Sequence, residues 1–129
     1  MIVVAGPRID PAALPRHEGL EVRAYVHELY RHLAACDLAI VQGGLTTCME
    51  LTANRRPFLY FPLRHHFEQN FHVRHRLGRY GAGRAMDFEL ASPDTIAEAI
   101  AQEIGREVAY VPVEGDGAER AAALIAELL

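Results

Sequence analysis

Short, uninterrupted apolar runs alternate along this 129-residue chain with stretches of helical spacing, and that alternation narrows the possible folds more than any other feature. A strand buried on both faces reads as a continuous apolar run, because helices cover its sheet above and below. Such strands pair in parallel and need helical crossovers between them. Ile2–Ala5, Leu20–Tyr25, Leu38–Val41 and Phe58–Phe61 fit strands of this kind, and Ala82–Met86 fits a short strand or extended segment. Gly6-Pro7, Gly43-Gly44, Pro57 and Pro62 punctuate them. Helical spacing covers Leu29–Ala35, Thr46–Asn54 and Phe67–Tyr80, the last closed by Gly81. Ser92-Pro93-Asp94 opens a further helix, with Ser92 as N-cap, Pro93 at the first helical position, and Ile96, Ile100 and Ile104 on one stripe. Val108–Val113 reads as extended, and Ala118–Leu128 as a final helix. The expected fold is α/β: one parallel sheet with helices on both faces, forming a single domain over residues 1–129.

The length suits one hydrophobic core. Half the residues are hydrophobic and the formal net charge is -4. No basic stripe runs along the chain, which argues against a nucleic-acid partner. A single local anion site needs no overall positive charge, so a nucleotide ligand stays open. No apolar run approaches the ~20 residues of a membrane span, and the N-terminus lacks the basic start and long apolar core of a signal peptide. Cys36 and Cys48 stand in no metal spacing and read as small buried apolar residues. A cytoplasmic setting is expected.

Ligands of parallel α/β sheets bind beyond the carboxyl ends of the strands. The residues to read closely are therefore Gly6-Pro7, Tyr25-Val26, Gln42–Thr47 and Leu63–Gln69. Gln42-Gly43-Gly44-Leu45-Thr46-Thr47 follows a strand and opens a helix. Two glycines allow a sharp turn and a close approach of ligand to main chain. The helix start offers unpaired N–H groups and a positive dipole end, which suit a phosphate, and Thr46 and Thr47 add hydroxyls. Glu50 lies on the same face, where a carboxylate can accept two ribose hydroxyls. A purely structural alternative stands beside this: Thr47-Cys48-Met49-Glu50 also has the spacing of a capping box.

The ordered set Gly43-Gly44, Thr46-Thr47, Glu50, Pro57, Pro62, Glu68-Gln69 and Gly81 resembles the donor-site pattern of GT-B glycosyltransferases. The similarity runs from about Gly6 to Ile104. It looks closest to the branch holding the peptidoglycan GlcNAc transferase and the macrolide and plant glycosyltransferases. The resemblance implies a Rossmann-like C-terminal half that binds a UDP- or dTDP-sugar. It implies diphosphate on Gln42, Gly43, Gly44, Thr46 and Thr47, ribose on Glu50, and sugar hydroxyls on Glu68 and Gln69. The base would pack around Tyr25, Val26 and Leu29. Such enzymes need neither metal nor other cofactor, since backbone and helix dipole neutralise the leaving diphosphate.

The sequence departs from the family pattern twice. Gln42 stands where many members carry His, so a charge facing the diphosphate is lost. The family's C-terminal half also opens with a further strand and a Gly/Ser-rich loop, and this chain looks as though it begins at the next strand. The acceptor site and catalytic base belong to the family's other half, and no residue here stands out as the base. A dolichol-linked GlcNAc transferase that divides its halves between two chains is a precedent. An acceptor domain or partner chain is thus expected, and the missing strand leaves a gap in the sheet. Direct pairing of Ile2–Ala5 with Leu38–Val41, insertion of Val108–Val113, or a second copy could fill it, and a homo-oligomer is favoured.

His65, His66, His72 and His75 cluster in sequence. His65 or His66 is expected to line the donor pocket beside Glu68, replacing part of the charge lost at Gln42. Chelation by His72 and His75 is the alternative that no carboxylate or Cys set completes. Arg64, Arg74, Arg76 and Arg79 read by default as a solvated helix face, and second as a contact for an acidic partner. The functional expectation is donor binding within a glycosyltransferase. The rival is a non-catalytic binding module that kept the fold.

Overall fold

The computed structural model describes residues 1–128 and divides the chain into two compact units, one of residues Met1–His32 and one from Leu33 onward. In the first unit, β1 (Ile2–Val4) and β2 (Glu21–Arg23) pair in parallel, with Val3 opposite Val22. Pairing continues past the strands, as the N–H groups of Ala5 and Gly6 donate to the carbonyls of Arg23 and Ala24. A short 3₁₀ turn at Pro11–Ala13 is capped by Asp10, whose carboxylate accepts from the Ala12 N–H at 2.9 Å. α1 (Leu29–Ala35) has the predicted bounds, and the division between units falls within it.

The second unit holds a three-stranded parallel sheet in the order β3 (Ala39–Val41), β4 (Phe58–Tyr60), β5 (Arg84–Ala85). β4 is central and wholly buried, as its continuous apolar run requires. Phe58 and Tyr60 pack with Cys48 and Leu51 of α2 (Leu45–Ala53), and with Val73 and with Leu77 of α3 (Arg74–Tyr80). Leu59 points to the other face. It is fully buried outside that cluster, and α4 (Pro93–Glu103) packs on β4. The sheet is therefore covered on both sides, a Rossmann-like arrangement. Burial pushes the Cys48 thiol up to about 11, which keeps it a neutral core residue.

Several local expectations hold for local reasons. Ser92 caps α4: its hydroxyl accepts from the Thr95 N–H, and the Thr95 hydroxyl accepts from the Ser92 N–H, a box closed by Thr rather than Glu. Gly81 ends α3 in the left-handed conformation, φ 60°. Gly83, at φ 66°, lies so close to the Phe58 ring that a Cβ would overlap it.

Other expectations change. The sheet is not one but two: β1 is bonded to β2 alone and β3 to β4 alone, so each leaves one edge without a backbone partner among the described residues. Neither is sheathed like β4, as Ile2, Val4 and Ile40 are exposed. Val108–Val113 forms no strand. Its Val111 N–H donates to the Tyr80 carbonyl, and Tyr110 packs edge-on against Phe58. The helix predicted over Phe67–Tyr80 begins with a π-helical stretch, Glu68–Val73, before α3. In α4 the fully packed position is Ala99, while Ile104 is the exposed C-cap, so the isoleucine stripe is displaced toward Ala99 and Glu103. The Glu103 carboxylate is balanced by Arg106 at 3.0 Å and Arg84 at 3.8 Å. α5 (Gly117–Ala126) buries no residue. Among the described residues, no helix is long and apolar enough to cross a membrane.

Candidate functional site

β3 and β4 are parallel, so the segments after both emerge at the same end of the sheet. They touch there: a Cβ on Gly43 would meet the Pro62 Cα at 3.0 Å. This close approach explains the glycine at 43. A sharp turn does not, since neither Gly43 nor Gly44 has a positive φ. Gly44 is the N-cap of α2 with ordinary extended angles, and the space where its Cβ would stand is open.

α2 starts without a side-chain cap. Its first intrahelical bond runs from the Cys48 N–H to the Gly44 carbonyl, leaving the N–H groups of Leu45, Thr46 and Thr47 without intrahelical acceptors. The Thr46 and Thr47 hydroxyls make no hydrogen bond among the described residues. Thr47 lies inside the helix, so the capping-box alternative for Thr47 and Glu50 does not hold. Glu50 sits half-buried, and its carboxylate has neither a hydrogen bond nor an ion pair among the described residues. Only its main-chain carbonyl is engaged, by Asn54. Gln42, just before the turn, is exposed.

The segment after β4 is braced from within. The Leu63 N–H donates to the Gln69 Oε1 at 3.2 Å, and the Asn70 side-chain amide donates to the Arg64 carbonyl. Gln69 is thus part of the loop's own frame, with its amide NH₂ left over, whereas Glu68 is exposed. Beside this segment lies an open cleft of about 770 Å³, lined by Pro62 to His66, Asn70 and Arg74 on one side and Ala85 to Glu89 on the other. His65 and His66 line it; Glu68, Gln69, Glu50 and the Gly43-Gly44 turn do not.

Arg64 spans the cleft. Its guanidinium bonds Asp87 at 2.9 Å and also Glu89. The Arg64 hydrogen bond holds the Asp87 carboxyl below its ordinary value, helped by the Glu89 N–H. The default reading of Arg64 as a solvated helix face is corrected: it precedes the helix and ties two loops together. Arg74 also lines the cleft, 3.4 Å from the Asn70 side-chain oxygen. Asp87 and Glu89 were missed by sequence reasoning, although the rule that ligands sit beyond strand carboxyl ends applies to the residues after β5 as well.

The residues expected at the base belong to the first unit. There Tyr25 is 75% exposed and Leu29 is exposed, but Val26 is only 6% exposed and has little surface to offer. The neighbouring Tyr30 is also exposed, its hydroxyl bonded to Glu28 at 2.9 Å. Among the described residues, no three His, Cys, Asp or Glu side chains converge as a metal ion would need. His72 packs its ring edge-on against Phe67 and Phe71.

Residues 4–120 match the family described as the glycosyltransferase family 28 C-terminal domain. No curated protein matches the chain significantly.

Proposed function

The chain belongs to the glycosyltransferase family 28 C-terminal domain family, and from that membership we propose that it binds the nucleotide-sugar donor, a UDP- or dTDP-sugar, for glycosyl transfer. The observation that carries the reading is the α2 start: uncapped N–H groups and two free threonine hydroxyls, followed on the same helix by an unpaired, half-buried carboxylate at Glu50. The diphosphate is held by the N–H groups and hydroxyls of Thr46 and Thr47, beside Gly43, Gly44 and Gln42. The helix dipole offsets its charge as the nucleoside diphosphate leaves. Glu50 accepts from the ribose hydroxyls. His65, His66, Glu68 and the free amide of Gln69 take the sugar hydroxyls, and Tyr25, Val26 and Leu29 are assigned to the base. The finer family placement, in the branch of the peptidoglycan GlcNAc transferase and the macrolide and plant enzymes, is part of the same proposal.

Transfer itself needs an acceptor site and a catalytic base, which we assign to a further domain or a partner chain. The purified chain alone is expected to turn over no acceptor. The unpartnered edges of β1 and β3 support self-association or a partner that supplies backbone groups. A compact monomer in sedimentation at high concentration would rule out the homo-oligomer. The free thiols of Cys36 and Cys48 suit a cytoplasmic setting.

Gln42 favours a second reading, a non-catalytic binding module, because the residue just before the turn carries no charge. Thermal shift with UDP, dTDP and GDP separates the two. A true donor site gains about 2.7 kcal/mol at one hundred times the dissociation constant, with UDP or dTDP preferred. No shift with any of the three contradicts donor binding.

A further inference from the structure

β4 and β5 are parallel, so the segments after them leave the same end of the sheet and form the two walls of the cleft. One cation in that cleft has no partner of opposite charge. Its first arginine, Arg64, and its two carboxylates, Asp87 and Glu89, are bonded to one another. Its second arginine, Arg74, forms no ion pair among the described residues. Only the Asn70 side-chain oxygen accepts from it there, at 3.4 Å. A guanidinium carries five N–H donors, so most of them remain for a ligand or for water. The contact to Asn70 still orients the group, because the Asn70 amide is itself fixed on the Arg64 carbonyl at 3.2 Å. Tyr60, the last residue of β4, is 5% exposed. Burial pushes its hydroxyl up, and the nearby Arg74 charge offsets part of the rise. Arg74 therefore stands close to the carboxyl end of the central strand, where ligands of such sheets bind.

We infer that the transferred sugar carries a carboxylate, as a hexuronate does, and that Arg74 binds it through the two parallel N–H groups of its guanidinium. This assignment rests on the proposed donor reading: His65 and His66, given there to the sugar hydroxyls, line the same cleft as Arg74. The cleft's volume of about 770 Å³ lies within the range of small-molecule sites, roughly 300–1,000 Å³. The arginine fork matches the two oxygens of a carboxylate, which gives both strength and orientation. A neutral sugar offers it only single hydroxyls, which gain less from a full positive charge. Asp87 and Glu89 do not bar an anion from the cleft, because both are already paired with Arg64. Arg74 would thus set which sugar is accepted, while the turn into α2 holds the nucleotide whatever sugar it carries.

The test is calorimetric titration of the full chain with UDP, UDP-glucose, UDP-N-acetylglucosamine and UDP-glucuronate, or with the dTDP series where dTDP is the nucleotide bound. UDP-glucuronate should bind about tenfold more tightly than UDP-glucose, and the advantage should shrink as salt is raised. Arg74→Met should bring the ratio of the two affinities close to one. Arg74→Lys, which keeps the charge and loses the fork, should retain part of it. Because both sugars are measured on the same protein, a general loss of folding or of nucleotide binding does not imitate a change in the ratio. Equal affinity of the parent for the two sugars, a preference for UDP-N-acetylglucosamine over both, or a ratio that survives Arg74→Met would overturn the inference; UDP binding would then leave the donor reading standing. Binding of no nucleotide and no nucleotide-sugar would overturn the donor reading, and the role of Arg74 with it.

Discussion

The turn into α2 and the segment after β4 leave the same end of the same sheet and touch at Gly43 and Pro62, yet they treat their polar groups in opposite ways. The α2 turn leaves helix N–H groups, two hydroxyls and the Glu50 carboxylate unengaged. The later segment ties Gln69 to Leu63, Asn70 to Arg64, and Arg64 to Asp87 and Glu89. Polar groups already bonded to one another make a frame. Groups without partners make a site, because a ligand that satisfies them replaces lost water contacts. On the proposed function, nucleotide capture falls to the first region and positioning to the second.

The contact that joins the regions gives the largest expected effect. Gly43→Ala places a Cβ 3.0 Å from the Pro62 Cα, and proline backbone yields little. Overpacking there should cost about 1–3 kcal/mol of stability and weaken nucleotide binding in the same variant. Urea unfolding and calorimetric titration check both; a neutral substitution would show that the two segments are not in firm contact.

A smaller effect is expected at Gln69. Gln69→Leu removes the acceptor of the Leu63 N–H, and the bond is exposed, so about 0.5 kcal/mol is expected, the low end for a hydrogen bond. UDP affinity should stay constant while affinity for the UDP-sugar falls. If stability alone moves, Gln69 is only part of the frame.

The smallest effect is a pH dependence. Asp87 is held below its ordinary value by Arg64, so its folded-state pKa is depressed. The stability it contributes is complete above the unfolded value, near 3.8, and is lost as pH falls through the lowered one. The pair is exposed and the increment accordingly modest. Arg64→Met should flatten this acid limb in urea unfolding between neutral and strongly acidic pH, and an unchanged limb would remove Arg64 as the cause.

What could be read in advance follows from the range of the interactions. The α4 start was legible because Ser92, Pro93 and Asp94 are adjacent, though the Thr95 side of the cap was not read. α1, and the strand β4 between Pro57 and Pro62, were legible from apolar spacing and flanking breakers. Division of the sheet into β1-β2 and β3-β4-β5 was not, since pairing joins residues far apart in sequence. The same limit hid the site's frame: nothing local to Asp87 or Glu89 announces Arg64, more than twenty positions earlier. The two-glycine turn was correctly placed before a helix, but its physical reason was not a sharp bend; Gly43 is small because Pro62 is near. Spacing alone also left Glu50 between capping and binding, and only the position of the helix start decides against capping.

Glu50→Gln therefore tests the account most directly, with UDP or dTDP affinity and unfolding stability measured on the same protein. An unpaired carboxylate that waits for ribose predicts binding weakened by about 1–2 kcal/mol, the scale of a hydrogen bond to a charged group, with stability essentially unchanged. Lost stability with unaltered nucleotide affinity would contradict it and make Glu50 a structural residue of α2.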